Sequence, residues 1–155
     1  TKITELKDLA GRTICGFAPP NLATLTVMYQ FDNPSRQPAF LETSSFADAY
    51  QGVLSGKCVA GVLQVKMWEE LDKEKNATRV VFHSKPVPNQ AFTVGPKIAP
   101  EMRIKLIEAL LSEEGKIATR KLRDEFKGQD FVVAQAAEYE DLGVLLRDVW
   151  GFELK

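Results

Sequence analysis

The chain has 155 residues, enough for one domain or one large domain with an appendage. Its hydrophobic fraction of 45% suffices for a packed core, and Lys+Arg 20 against Asp+Glu 21 leaves a formal net charge of -1. That balance lacks the basic excess of nucleic-acid binders, and no apolar run nears the roughly 18 residues of a membrane span.

Thr4–Gly11 reads as a short polar turn or helix closed by Gly11. Arg12–Phe17 follows as a strand, with Ile14, Cys15 and Phe17 apolar. Pro19-Pro20 ends it, because proline removes a ladder donor. Asn21 can cap the next element, and Leu22, Leu25, Met28 and Tyr29 recur at helical spacing, which predicts a helix over Asn21–Phe31. Asp32–Pro38 is a loop of turn-forming residues, and Ala39–Glu42 is short and extended. Thr43, Ser44 and Ser45 offer N-caps to a second helix with an apolar face of Phe46, Ala49, Tyr50, Val53 and Leu54, stopped by Gly56. Lys57–Leu63 is nearly continuous in apolar residues, as a buried parallel strand would be. A third helix is expected over Val65–Lys75, then a strand over Arg79–His83. Ser84–Asn89 is punctuated by Pro86 and Pro88, and Ala91–Val94 reads as one more strand. From Pro100 to Phe126 the period is helical, and a last helix is expected over Glu138–Trp150.

Strand–helix alternation over the first 84 residues argues for an α/β layer with parallel strands, residues 12–17 and 57–63 being central. The helix-only tail is foreign to a self-contained sheet domain and looks like part of another lobe. Charges along Lys66–Lys75 and Arg120–Lys127 alternate in sign, as on solvated helix faces. Cys15 and Cys58 form no CxxC pair, so no zinc site is expected. They read as two buried, reduced thiols on nearby strands; a disulfide stays open if those strands are neighbours.

Catalytic machinery is not assembled. His83 is the chain's one histidine, at an expected strand end, and no GxSxG, P-loop or GxGxxG accompanies it. The pairs Glu69-Glu70 and Glu113-Glu114 lie on charged helix faces. No cofactor and no metal site is expected. Two turns have the makings of a binding site: Ala18–Thr24, running from a strand into a helix N-terminus, and Thr43-Ser44-Ser45 at the next helix N-terminus. Unpaired N–H groups and hydroxyls at such termini cradle anions. In a parallel sheet both turns fall at the carboxyl ends of strands, where ligands bind. Ordinary N-capping is the competing explanation.

The order of segments also resembles a known family. Asp8-Leu9-Ala10-Gly11-Arg12-Thr13-Ile14 resembles the opening of the second lobe in periplasmic solute-binding proteins. Pro20-Asn21 stands where the phosphate/phosphonate-binding family of ABC transporters has a Pro-Asn-Ser-Thr-Ser-Gly turn. Val53–Gly61, Ser84–Asn89 and Glu138–Leu142 resemble three further segments of that family in the same order. The resemblance covers nearly the whole chain. It implies a periplasmic-binding-protein-like α/β lobe, a mostly parallel sheet flanked by helices, plus C-terminal helices belonging to the other lobe. Residues 5–84 would be the second lobe, and residues 85–155 the crossing strand and helices returning to a first lobe whose N-terminal part is absent. It implies binding without catalysis in an interlobe cleft, with a small anionic solute such as a phosphonate or phosphate and an ABC permease as partners. It further implies a periplasmic or extracytoplasmic location, with lipid anchoring of the full-length protein open. The chain starts at Thr1 without Met, as a mature protein or an excised fragment would.

The ligand-binding residues so indicated are Asn21, Ala23, Thr24, Thr43, Ser44 and Ser45. The departures fall here too. Only Thr24 keeps a hydroxyl of the family's turn, with Leu22, Ala23 and Leu25 at the other places. Val59 stands for the family's ligand-facing Asp, and Phe46 for its frequent His. An extracytoplasmic sensor domain of the same fold in a signalling protein is the alternative function. An enzyme on a related two-lobed fold is disfavoured for want of His or Cys chemistry. The tail's apolar helices predict self-association into a homodimer.

Overall fold

A computed structural model describes residues 2–88, 91–125 and 130–151. Contacts within the chain divide it into two units, Thr1–Val87 with Glu140–Lys155, and Pro88–Tyr139.

The first unit is built on a three-stranded parallel sheet of order β2-β1-β3, with β1 at Thr13–Gly16, β2 at Ala39–Glu42 and β3 at Ala60–Gly61. The α/β architecture with parallel strands flanked by helices is thus as the alternation predicts. β1 is central and carries the most buried strand residues, Ile14 and Cys15, each 1% exposed. Successive side chains of a strand point to opposite faces, so these two serve different layers. Ahead of β1 a 3-10 turn, Leu6–Leu9, buries Leu9. Asp8 fixes its start by accepting hydrogen bonds from the Thr4 amide (2.8 Å), the Thr4 hydroxyl (2.9 Å) and the Glu5 amide (3.1 Å).

Three helices follow the strands: α1 at Leu22–Tyr29, α2 at Phe46–Leu54 and α3 at Val65–Asp72. α2 packs on β1 and β3 through a cluster of Cys15, Ala49 and Cys58 with Leu63 against it. Gly52 permits this approach, because a Cβ there would overlap Cys15 Sγ. α2 and α3 are tied by a buried polar network. The Tyr50 hydroxyl donates to Asp72 Oδ1 at 2.7 Å, and the amides of Ala77 and Thr78 donate to the same oxygen at 3.1 and 3.2 Å. Trp68 Nε1 donates to Thr78 Oγ1 at 2.9 Å. The Tyr50 hydroxyl holds the Asp72 carboxyl below the ordinary carboxylate range, and Asp72 in turn pushes the Tyr50 phenol up to about 12.

The two cysteines form a disulfide, Cys15–Cys58, with Cα atoms 5.7 Å apart. This corrects the expectation of reduced thiols on neighbouring strands. Cys58 is not on a strand. It lies in the turn between α2 and β3, its amide donating to the Gly52 carbonyl at 3.1 Å, which swings it toward β1. The bridge closes a separation of 43 residues, worth about 4 kcal/mol by restriction of the unfolded chain.

Other expectations need correction. Lys57–Leu63 contributes only Ala60–Gly61 to the sheet, and β3 is an edge of it rather than a centre. Arg79–His83 has strand composition, yet among the described residues 79–88 make no backbone–backbone hydrogen bond. A strand needs a pairing neighbour as well as a pattern. Ala91–Val94 is likewise irregular. The first unit ends with α7, Glu140–Trp150, which packs on α1; the 3-10 turn just before it in the chain, Ala136–Tyr139, falls in the second unit.

The second unit contains α4 at Pro100–Leu111, α5 at Glu113–Ala118 and α6 at Arg120–Glu125. Pro100 starts α4, where its missing N–H costs nothing. The single helical pattern read from the sequence is broken at Ser112, whose hydroxyl accepts from the Gly115 amide at 3.0 Å and so starts a new helix. A second break follows at Thr119, whose hydroxyl donates back to the Gly115 carbonyl at 2.7 Å. Phe92 meets Phe131 edge-on at 5.4 Å. Among the described residues of this unit none is buried.

Candidate ligand-binding site

The parallel register Gly16↔Glu42 puts the ends of β1 and β2 side by side. The two turns that leave them are therefore neighbours at the carboxyl edge of the sheet. The Thr43 amide donates to the Gly16 carbonyl at 2.9 Å. The rings of Phe17 and Phe46, one in each turn's reach, meet edge-on with centroids 4.9 Å apart. The structure thus brings both predicted turns together and joins them with an aromatic pair.

Each of the six predicted residues has a definite place. The Pro19–Pro20 bond is cis, and Asn21 then caps α1, its Oδ1 accepting from the amides of Ala23 (3.1 Å) and Thr24 (3.4 Å). Ala23 is half-buried on the first turn of α1. Thr24 is 0% exposed, and its hydroxyl donates to the Phe17 carbonyl at 2.6 Å. That hydroxyl braces the turn from inside instead of facing solvent. Ser45 caps α2, accepting from the Asp48 amide at 3.0 Å. The exposed Ser44 donates to Asp48 Oδ2 at 2.6 Å. Thr43 Oγ1 is buried with no hydrogen-bond partner.

Asp48 joins these residues at the site, and Ser45-Phe46-Ala47-Asp48 has the spacing of a capping motif. Its carboxylate answers the positive end of α2 that an anion would otherwise use. Hydrogen bonds from Ser44 and then Ser45 hold its pKa below the ordinary carboxylate range, so it is ionised at neutral pH. In sequence, Phe17 carries only the signal of a strand residue. Its contact with Phe46 needs the β1–β2 register, which no local pattern reveals.

Val59 sits elsewhere. Its amide donates to the Thr13 carbonyl at 3.0 Å, level with the start of β1. It therefore lies at the amino edge of the sheet, at the opposite end of the strands from the two turns. The first unit also holds an apolar cavity of about 640 Å³ between β3 and residues 77–84. Leu6, Val27, Val62, Trp68 and Val80 are among its lining residues, as is His83; of the six predicted residues only Ala23 reaches it. Among the described residues no group of three or more His, Cys, Asp and Glu could hold a metal.

A family model described as the phosphonate ABC-transporter periplasmic substrate-binding protein matches residues 1–139. The chain belongs to this family. No curated protein matches it. As a phosphonate-type substrate-binding protein it implies a small-molecule solute, an ABC permease as partner and an extracytoplasmic location. Among the described residues no helix is long and apolar enough to cross a membrane. The β1–α1 and β2–α2 turns of this substrate-binding protein are the place where two helix N-termini converge on one sheet edge.

Proposed function

We propose that this protein captures a phosphate- or phosphonate-type small anion for an ABC importer and binds it without catalysis. The observation that carries the reading is the family match over residues 1–139, joined to the adjacency of Asn21–Thr24 and Thr43–Ser45 at the carboxyl edge of the sheet. Residues 5–84 form the second lobe in this reading. Residues 85–155 carry the crossing toward the first lobe, with α7 coming back against α1. The solute lies over the two turns, contacted by Asn21, Ala23, Thr43, Ser44 and Ser45, while Thr24 holds the first turn in shape. Lipid anchoring outside the cytoplasm and self-association through the exposed apolar side chains of the second unit belong to the same proposal.

The test is a thermal-shift screen of the full chain against phosphate, phosphite, phosphonates and sulfate. A ligand bound to the native state raises the melting temperature by mass action. A rise with at least one of these anions supports the reading, and no rise at millimolar concentration with any of them overturns it.

A further inference from the structure

The apolar cavity of the first unit takes no part in the two turns: of residues 21–24 and 43–45, only Ala23 reaches it. Its volume of about 640 Å³ is that of a site for a small organic molecule. One wall is the side of β3 turned away from β1, continued by Val62. The facing wall is residues 77–84, with Val80 and Phe82, and Leu6, Val27 and Trp68 line the space between. The facing wall is held off the sheet by bonds at its start. Asp72 Oδ1 accepts from the amides of Ala77 and Thr78 at 3.1 and 3.2 Å, and Trp68 Nε1 donates to Thr78 Oγ1 at 2.9 Å. The Arg79 guanidinium donates to the Ile3 carbonyl. Residues 79–84 are thereby anchored away from β3, and they make no backbone–backbone hydrogen bond. The gap is thus built into the fold.

The lining selects what fills it. Among the described lining residues none is Asp, Glu or Lys, so a cation finds no counter-charge. Arg79 is engaged with Ile3, and His83 is exposed. An ionised group buried without a partner is costly, whereas an apolar cavity takes apolar guests. The backbone groups of 79–84, having no backbone partner, can pair with one polar substituent on such a guest. From this geometry we infer that the cavity is a second ligand site, which takes one uncharged, mainly apolar molecule of aromatic or branched-hydrocarbon type, bound separately from the anionic solute. Trp68, Val62 and Val80 hold its apolar body, and the backbone of 79–84 holds its polar substituent.

The experiment is isothermal titration calorimetry of the full chain with indole, an uncharged aromatic molecule with a single N–H donor. Indole should saturate a single site per chain, and saturating inorganic phosphate should not displace it. Val80→Glu should weaken indole at least about tenfold, a loss of about 1.4 kcal/mol, because it sets an ionised carboxylate against apolar walls. Val62→Phe, which fills the cavity with apolar atoms, should weaken it likewise. Ile117→Glu, at a side chain of the second unit that is 77% exposed, should leave indole binding unchanged. No saturable indole binding, displacement by phosphate, or loss in Ile117→Glu with retention in Val80→Glu overturns the inference. So does native-state hydrogen exchange that finds the amides of 80–83 as protected as those of 13–16 without indole, because residues 79–83 would then have closed on β3 as a fourth strand. In each of these cases the anion-binding function stands.

Discussion

The two units of this chain are made from similarly apolar sequence, yet only one of them buries it. In the first unit Ile14, Leu25, Ala49 and Tyr50 are at most 1% exposed. In the second, Ile104, Ile117 and Val132 are 57%, 77% and 82% exposed. The difference is the sheet. β1 presents side chains to two faces at once, α2 packs over one of them, and a disulfide fixes that layer. Short helices without a sheet have an apolar side but no second layer to bury it in. A helical pattern in sequence therefore promises a helix and not a core, and function should be sought where the sheet organises its turns.

Breaking the disulfide gives the largest expected effect. Cys15→Ser with Cys58→Ser should cost the first unit about 4 kcal/mol. In native-state hydrogen exchange the amides of 13–16 and 46–54 should exchange faster, and those of 100–111 should not change. Equal acceleration in both units would erase the contrast. Leu25→Ala should cost about 3 kcal/mol, within the usual range for a fully buried leucine; denaturant titration measures it. Thr24→Val keeps the volume but leaves the part-buried Phe17 carbonyl without its donor, and should cost about 1–2 kcal/mol. Tyr50 marks the same unit through pH. Its phenol is raised to about 12 from an ordinary value near 10, so the stability it contributes is complete below pH 10 and is lost as pH rises through 12. Tyr50→Phe should remove that alkaline loss, read as melting temperature against pH. The smallest effect belongs to the second unit: Ile117→Ser should change stability by less than about 0.5 kcal/mol, as for an exposed side chain.

The fold was legible where a local signal and a tertiary partner agreed. Asn21 and Ser45 are caps by residue type and act as caps. The runs 13–16 and 39–42 are strands because each finds a parallel neighbour. Arg79–His83 carries β-branched and aromatic residues but faces a cavity across from a two-residue β3, so its pattern finds no ladder. Ser112 could be read as helix interior or as a cap, and only its bond to the Gly115 amide decides. At the site, the two turns were legible from hydroxyls and strand ends. The inward turn of Thr24 and the Phe17–Phe46 contact were not: the first depends on how the turn folds back onto Phe17, and the second on the register of strands about 25 residues apart in sequence.

The most direct test of the account is to map solute binding on the chain by amide chemical shifts, titrating phenylphosphonate into isotope-labelled protein. The account predicts the largest shifts at residues 17–24 and 43–48, with little change at 59–63 and 77–84 around the apolar cavity. Shifts concentrated at the cavity-lining residues, with the two turns silent, would contradict it.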